Sequence, residues 1–414
     1  MSTRYTLARH TPGAGLKEHE SQIDMRAMRA YRRNRVREQL VTRDYGACVL
    51  FNPYNIRYAT GARNLQVFSA HSPGRYLFLP VDGPVILFDP WIVGEWPNPV
   101  ETIDEFRPAT RWTYYSHGPR FREQAKLWAI EIADLVNAHC RGNKRLAIDR
   151  IDPEPFEELK ALGVEQFWAQ EALEHARVIK CPEEIACMSI SVSVCDAGLY
   201  SMRESLRPGL TENELWATFI QTCYSLGAES VEMRLLSSGG RTNPWHQECG
   251  DRLIRCGDLV LFDSDMVGPF GYYADISRTF HCGPGRPTGQ QRKLYQMAYE
   301  EIQHNIGLFQ PGATFKEITD KAYKAPDEFL PYRDAVAHGV GVTDEYPMIQ
   351  KPMDWAAQGY DGVVEENMTL CVESYMGVVG GSDGVKLEEQ IVITSSGPQL
   401  LSTFPFEEDL LNGR

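Results

Sequence analysis

The sequence predicts an α+β fold in two domains. A polar segment covers residues 1–22, a smaller α/β domain covers 23–176, and a larger domain with two duplicated halves covers 177–414. Three observations predict this. At 414 residues the chain exceeds one ordinary domain. Its N-terminal portion alternates short β-rich runs with helical stretches, the pattern of an α/β unit. Its C-terminal portion carries the same pattern twice, as "LRPGLTENEL" at 206–215 and "FQPGATFKEI" at 309–318.

The polar start, "MSTRYTLARHTPGAG", lacks the apolar stretch of a signal peptide. Residues 23–40 have helical spacing. Strands are expected at 47–51, 76–80, 85–89 and 145–149, with a helix near 121–138 and a loop at "NPYNIRYATG". A boundary falls near 170–178, where Pro182 and two glutamates open a helix. Both repeats then end a helical stretch with Pro-Gly and start a new helix at Thr-x-x-Glu. Thr211/Glu214 and Thr314/Glu317 fit capping boxes, in which hydroxyl and carboxylate satisfy the free amides of a helix start. Two such halves facing each other would leave a cleft between their sheets.

Composition narrows the function classes. A 43% hydrophobic and 24% charged chain is an ordinary globular one, able to bury a core without staples. The net charge is −14 and no basic run or basic–aromatic patch occurs, which excludes nucleic acid and anionic membrane as expected partners. Ten scattered cysteines without Cys-x-x-Cys pairs read as buried free thiols of a reducing compartment. No run of about 18 apolar residues marks a membrane span. The expectation is a soluble, cytoplasmic protein.

The chemistry concentrates in "LFDSDMVGPFGYYADISRT", residues 261–279, which puts Asp263, Asp265 and Asp275 in apolar strand-like surroundings. "DLVLFDSD" and "GYYADISRTF" read as the two strands of a hairpin around the turn "VGPFG". Residues two apart share a strand face, so Asp263 and Asp265 point the same way, and Asp275 returns at about their level. One aspartate there would pair with Arg278 or water. Three buried together repel unless a cation joins them. His338 precedes a Gly-x-Gly loop, and Glu373 and Glu388 lie in apolar strands, the latter beside Glu389 and Gln390. Such an oxygen-rich set with one nitrogen suits two divalent ions, of Fe, Mn, Co or Zn, better than a structural zinc would.

With these acids and this histidine in this order, the sequence resembles the pita-bread metalloenzymes: methionine aminopeptidase, aminopeptidase P, prolidase and the metal-free creatinase. The resemblance spans roughly 177–403, and the first half resembles the N-terminal domain of the prolidase and creatinase branch. It implies metal ligands at Asp263 or Asp265, then Asp275, His338, Glu373 and Glu388, with Asp275 and Glu388 bridging two ions, and it implies a homodimer. Two features depart from the peptidases. Their first two aspartates are eleven apart, whereas Asp263 and Asp265 lie twelve and ten before Asp275. Their second histidine, seven residues after the metal histidine, is Glu345 here. The segments "RTNPWHQECG", "FDSDMVG", "HGVGVTDEYP", "NMTLCVE" and "RDYGACVLFNPYNIRYAT" resemble instead the pita-bread dimethylsulfoniopropionate lyases. That branch implies a lyase acting on a small zwitterion, with Asp344 as the base. His246 matches a peptidase histidine and keeps open an Xaa-Pro peptidase acting on short peptides. Trp245, Glu345 and Tyr346 are the expected substrate-lining residues.

Overall fold

The computed structural model describes residues 23–63, 65–72, 74–90, 100–326, 329 and 335–412; the polar segment expected at 1–22 lies outside these. The described chain forms two compact units, one from Asp24 to Arg177 and the other from Val178 onward.

The first unit opens with helix α1, Met25–Thr42, whose N-cap Asp24 accepts a hydrogen bond from the Ala27 amide. Its buried residues Met28, Arg32, Val36 and Leu40 recur every fourth position, one face of a helix. That helix accompanies a six-stranded sheet in the order β4-β3-β2-β1-β5-β6. The strands are β1 (Ala47–Leu50), β2 (Tyr76–Pro80), β3 (Ile86–Asp89), β4 (Glu105–Pro108), β5 (Arg145–Ile148) and β6 (Glu165–Trp168). The inner strands β1, β2 and β3 are buried at every residue, which explains their unbroken apolar runs. At the edges, β4 and β6 are polar and mostly half-buried or exposed, so no apolar pattern announces them.

The expected loop at "NPYNIRYATG" is instead helix α2, Pro53–Thr60. Asn52 caps it through a hydrogen bond from the Tyr54 amide, Pro53 fills its first turn, and Gly61 ends it at φ 84°. The half-buried Asp149 carboxylate ties its start to the sheet, accepting from the amides of Phe51 and Asn52 and from Asn55 Nδ2. Helix α3, Phe121–His139, packs Trp128, Ala129, Ile132 and Val136 into the same core as Val49, Phe78 and Phe88.

The second unit begins with α4, Pro182–Ser205, and α5, Glu212–Ser225. Contrary to the expectation that no such segment exists, α4 is long and apolar enough by composition to cross a membrane. Val192, Cys195, Leu199 and Met202 pack it into a core with Phe219 of α5 and Phe262. After α5 come β7 (Ser230–Val231), β8 (Leu236–Ser238), β9 (Leu259–Asp263), β10 (Met266–Val267), β11 (Tyr273–Ala274) and β12 (Ser277–His281). A second helix pair, α6 (Gly289–Ile306) and α7 (Phe315–Lys321), precedes β13 (Ala337–Val340), β14 (Asp344–Ile349), β15 (Thr369–Gly377), β16 (Gly384–Thr394) and β17 (Gly397–Leu400). These last five form one sheet in the order β14-β13-β15-β16-β17, packed on α6 and α7.

The duplication extends to single hydrogen bonds. Thr211 caps α5 and Thr314 caps α7, each in a complete capping box. Gly209 at φ 92° and Gly312 at φ 88° donate to Ile254 O and Val364 O, and Thr211 and Thr314 form matching antiparallel bridges to Leu253 and Val363. Counting on from those bridges, ten residues in each half, Asp263 at the end of β9 corresponds to Glu373 in β15.

The expected hairpin is not continuous. β9 pairs with β12 and β8 in one sheet, while β10 pairs with β11 and β7 in another. The break falls at Ser264–Asp265 on one side and Asp275–Ile276 on the other. Ser264 bridges it, donating to Ala274 O and accepting from the Ile276 amide. Asp265 takes φ 36° there. Asp263 and Asp265 are therefore not related by strand alternation; a left-handed residue breaks the period between them. The two halves meet where β12 lies against β16: Thr279 Oγ1 donates to Lys386 O and accepts from the Lys386 amide, and Arg278 donates to Glu388 O.

Candidate metal centre

At this seam the acids and the histidine come together. His338 stands on β13, Glu373 on β15 and Glu388 on β16, with Glu373 and Glu388 in register as cross-strand partners. Asp263 ends β9 opposite Ser277 of β12, and Asp275 sits in the break before β12. All are buried. His338 Nδ1 lies 3.0 Å from Gly339 O. A carbonyl only accepts, so Nδ1 carries the proton and Nε2 faces the carboxylates. Nε2 is 3.2 Å from Glu373 Oε1, 3.7 Å from Asp275 Oδ2 and 3.7 Å from Glu388 Oε1.

Lys386, two residues before Glu388 on β16 and 1% exposed, supplies a cation from within. Its ammonium donates to Glu388 Oε2 at 2.9 Å and Ser277 Oγ at 3.0 Å, contacts Glu373 Oε2, and lies 3.7 Å from Asp263 Oδ2. Each glutamate is thereby sorted, with Oε2 toward Lys386 and Oε1 toward His338. The ammonium also stands 5.5 Å from the Trp245 ring centroid.

The electrostatics follow from this crowding. Burial pushes Asp263 up to about 6 despite Lys386. Burial and the Asp263 charge push Asp265 up to about 9. Asp275 is raised well above the ordinary range by burial and Glu388. Burial would raise Glu388 too, but Lys386 and His338 outweigh it and hold it well below the usual value. Burial opposes charging His338, yet Glu373 and Glu388 raise its pKa well above normal.

Asp265 Oδ2, Asp275 Oδ1 and Glu388 Oε1 are buried without a hydrogen-bond partner in the protein. Ligand atoms of Asp275, His338, Glu388 and Cys371 lie within 4.8 Å of one another. Orphaned carboxylate oxygens around an imidazole nitrogen, in so buried a place, fit a divalent cation.

The other expected residues lie around this cluster. Asp344, at the start of β14, has Oδ1 3.8 Å from His338 Nδ1, and its side chain is 55% exposed. Glu345, next to it, accepts from the Val342 amide and from Lys180. Trp245 is buried, with its ring 6.2 Å from Tyr375 and 5.5 Å from the exposed His246. Tyr346 stacks on Tyr360 at 5.7 Å and meets Phe315 of α7.

Two neighbours, Lys386 and Cys371, escape a reading built on acids and histidines. Lys386 was visible as a lone cation two residues before Glu388, on the same strand face. Cys371 stands two before Glu373 in the same way. Gln390 accepts from the Asp275 amide, and Glu389, raised to about 7 by burial against the pull of Arg278, forms a buried ion pair with that arginine at 2.6 Å.

The chain is similar to known proteins along most of its length. A family model described as metallopeptidase family M24 matches residues 186–395, and one described as the creatinase/prolidase N-terminal domain matches 32–179. The chain is 35% identical over 398 residues to the dimethylsulfoniopropionate lyase DddP of Roseovarius nubinhibens, covering 94% of this chain and 88% of that one. It is 34% identical to the DddP of Roseobacter denitrificans with the same coverage. An Xaa-Pro dipeptidase from Bacillus anthracis, 19% identical, superposes with a TM-score of 0.72 over 92% of this chain and 99% of that one, a likeness of fold alone. The expected α+β pita-bread architecture is the observed one, and with both domain matches in place the chain belongs to metallopeptidase family M24 as a metal-dependent enzyme with a creatinase-type N-terminal domain.

Proposed function

We propose that the chain is a lyase that cleaves dimethylsulfoniopropionate, or a zwitterion like it, to dimethyl sulfide and acrylate. The observation that carries this reading is Asp344, an accessible carboxylate whose Oδ1 lies 3.8 Å from His338 at the rim of a buried carboxylate cluster. The names of the two relatives supply the substrate. Glu345, where peptidases keep a second histidine, is engaged with Lys180 and the Val342 amide.

In this proposal Asp263, Asp265, Asp275, His338, Glu373 and Glu388 hold two divalent ions, of Fe, Mn, Co or Zn. Bound there, the ions supply Lewis-acid stabilisation for negative charge growing on the substrate carboxylate. Asp344 takes the proton from the carbon beside that carboxylate. The electron pair left behind forms the double bond of acrylate, and the C–S bond breaks with its electrons on sulfur, releasing neutral dimethyl sulfide. Asp344 then returns its proton to water. Lys386 holds the Oε2 atoms of Glu373 and Glu388, so their Oε1 atoms keep facing His338.

A second reading, an Xaa-Pro dipeptidase or aminopeptidase, rests on His246, exposed beside Trp245. One assay separates the two. Protein loaded in turn with each of the four metals is offered dimethylsulfoniopropionate and a panel of Xaa-Pro peptides. The lyase reading expects dimethyl sulfide and acrylate in equal amounts and intact peptides; peptide hydrolysis without dimethyl sulfide would overturn it. A cytoplasmic home and a homodimeric state belong to the same proposal. Ten free thiols, nine of them buried, support the first, and light scattering tests the second.

A further inference from the structure

The proposed base stands on a short strand, β14, and two residues outside the metal cluster fix where that strand begins. Glu345, next to Asp344, is buried, and its two carboxylate oxygens are used differently. Oε1 accepts from the Val342 amide at 2.9 Å, closing the turn that carries Asp344. Oε2 accepts from the Lys180 ammonium at 2.8 Å, and both side chains are almost wholly buried, 2% and 1% exposed. Lys180 is anchored in turn, its amide donating to Asn367 O beside β15.

The turn is held on its other side as well. Gly341 O accepts from the Tyr273 amide, two residues before Asp275, and the Gly341 amide donates to Thr343 O. Gly341 leaves room for the carboxylate: a Cβ there would lie 2.4 Å from Glu345 Oε2. A register shift between His338 and Gly339 lets β14 pair Glu345 with Gly339 and Asp344 with Val340, bringing Asp344 back beside the histidine. The Asp344 side chain itself is more than half exposed, so its position depends on the backbone beneath it.

We propose that Lys180 and Glu345 are positioning residues: their ion pair clamps the 341–343 turn and so holds the Asp344 carboxylate in place beside His338. The inference rests on the lyase reading for its kinetic consequence but not for its structural one. A base displaced by about 1 Å loses on the order of 100-fold in rate, with substrate binding little changed.

The test uses the full-length, metal-loaded protein and two variants. Lys180→Met removes the cation. Gly341→Ala keeps both charges and sets a Cβ 2.4 Å from Glu345 Oε2, displacing that carboxylate, so it stands in if Lys180→Met fails to fold. Metal content, kcat, KM and amide hydrogen exchange over 341–344 are measured. The clamp predicts unchanged metal content, kcat lower by about 10- to 100-fold, KM within about twofold, and faster exchange over 341–344. A folded variant with unaltered exchange overturns the clamp. Faster exchange with unaltered kcat overturns its hold on Asp344, and a loss carried by KM or by missing metal overturns the positioning role. If the wild type releases no dimethyl sulfide, the lyase reading fails by itself, and the exchange data still decide whether the pair clamps the turn.

Discussion

Asp265 follows Ser264 in the break between β9 and β10. Alternation predicts that it shares a strand face with Asp263, but its φ of 36° breaks the strand between them. It is nevertheless buried, with Oδ2 lacking a partner in the protein. The acids were legible because carboxylates in apolar runs are costly unless matched. Lys386 was missed because one lysine in a strand carries no such signal until Glu373 and Glu388 are seen to share it. Glu388→Ala removes one of the proposed ligand carboxylates, which is also a hydrogen-bond acceptor of Lys386. Metal affinity measured by competition with a chelator is expected to fall more than about tenfold. The acids also set a pH dependence. Asp263 at about 6 and Asp265 at about 9 hold protons in the folded state that an unfolded carboxylate has already released. The folded state thus binds more protons between about pH 4 and 9, and the stability of metal-stripped protein falls as pH rises through that window. Metal displaces those protons, so added metal raises the melting temperature more at pH 8 than at pH 6. An equal gain at both would contradict the assignment.

Secondary-structure elements were legible where burial leaves a pattern. The inner strands β1 to β3 announce themselves, whereas the polar edges β4 and β6 do not. Helix α2 was hidden by its tyrosines and asparagines, although Asn52-Pro53 is a sound helix start. The repeated Pro-Gly and Thr-x-x-Glu pattern carried more information than either copy alone, since it marks two equivalent helix starts. From Leu253 and Val363, the bridge partners of those starts, ten residues each reach Asp263 in one half and Glu373 in the other. Lys386 lies near both, 3.7 Å from Asp263 and in contact with Glu373. The caps themselves serve stability. Thr314→Ala removes the acceptor for the Glu317 amide and should cost about 1 kcal/mol in chemical denaturation, with kcat and metal content unchanged. A large drop in activity would mean that the cap also shapes the site.

Across the whole molecule, the fold class followed from chain length, alternation and duplication. The break between β9–β12 and β10–β11 did not, because it depends on Ser264 bridging two sheets over a one-residue change of backbone handedness. Along the sequence the site is dispersed, its residues running from Asp263 to Glu388. The fold gathers them at the seam between β12 and β16, with Asp344 at the accessible rim. In the proposed reaction this buried centre, with Asp344 as its base, eliminates dimethyl sulfide. The most direct measurement follows dimethyl sulfide and acrylate from dimethylsulfoniopropionate with wild-type protein and Asp344→Ala at equal metal content. The prediction is equimolar products from the wild type and a rate about 100- to 10,000-fold lower in the variant. Full activity in Asp344→Ala, or no dimethyl sulfide from metal-loaded wild type, would contradict it.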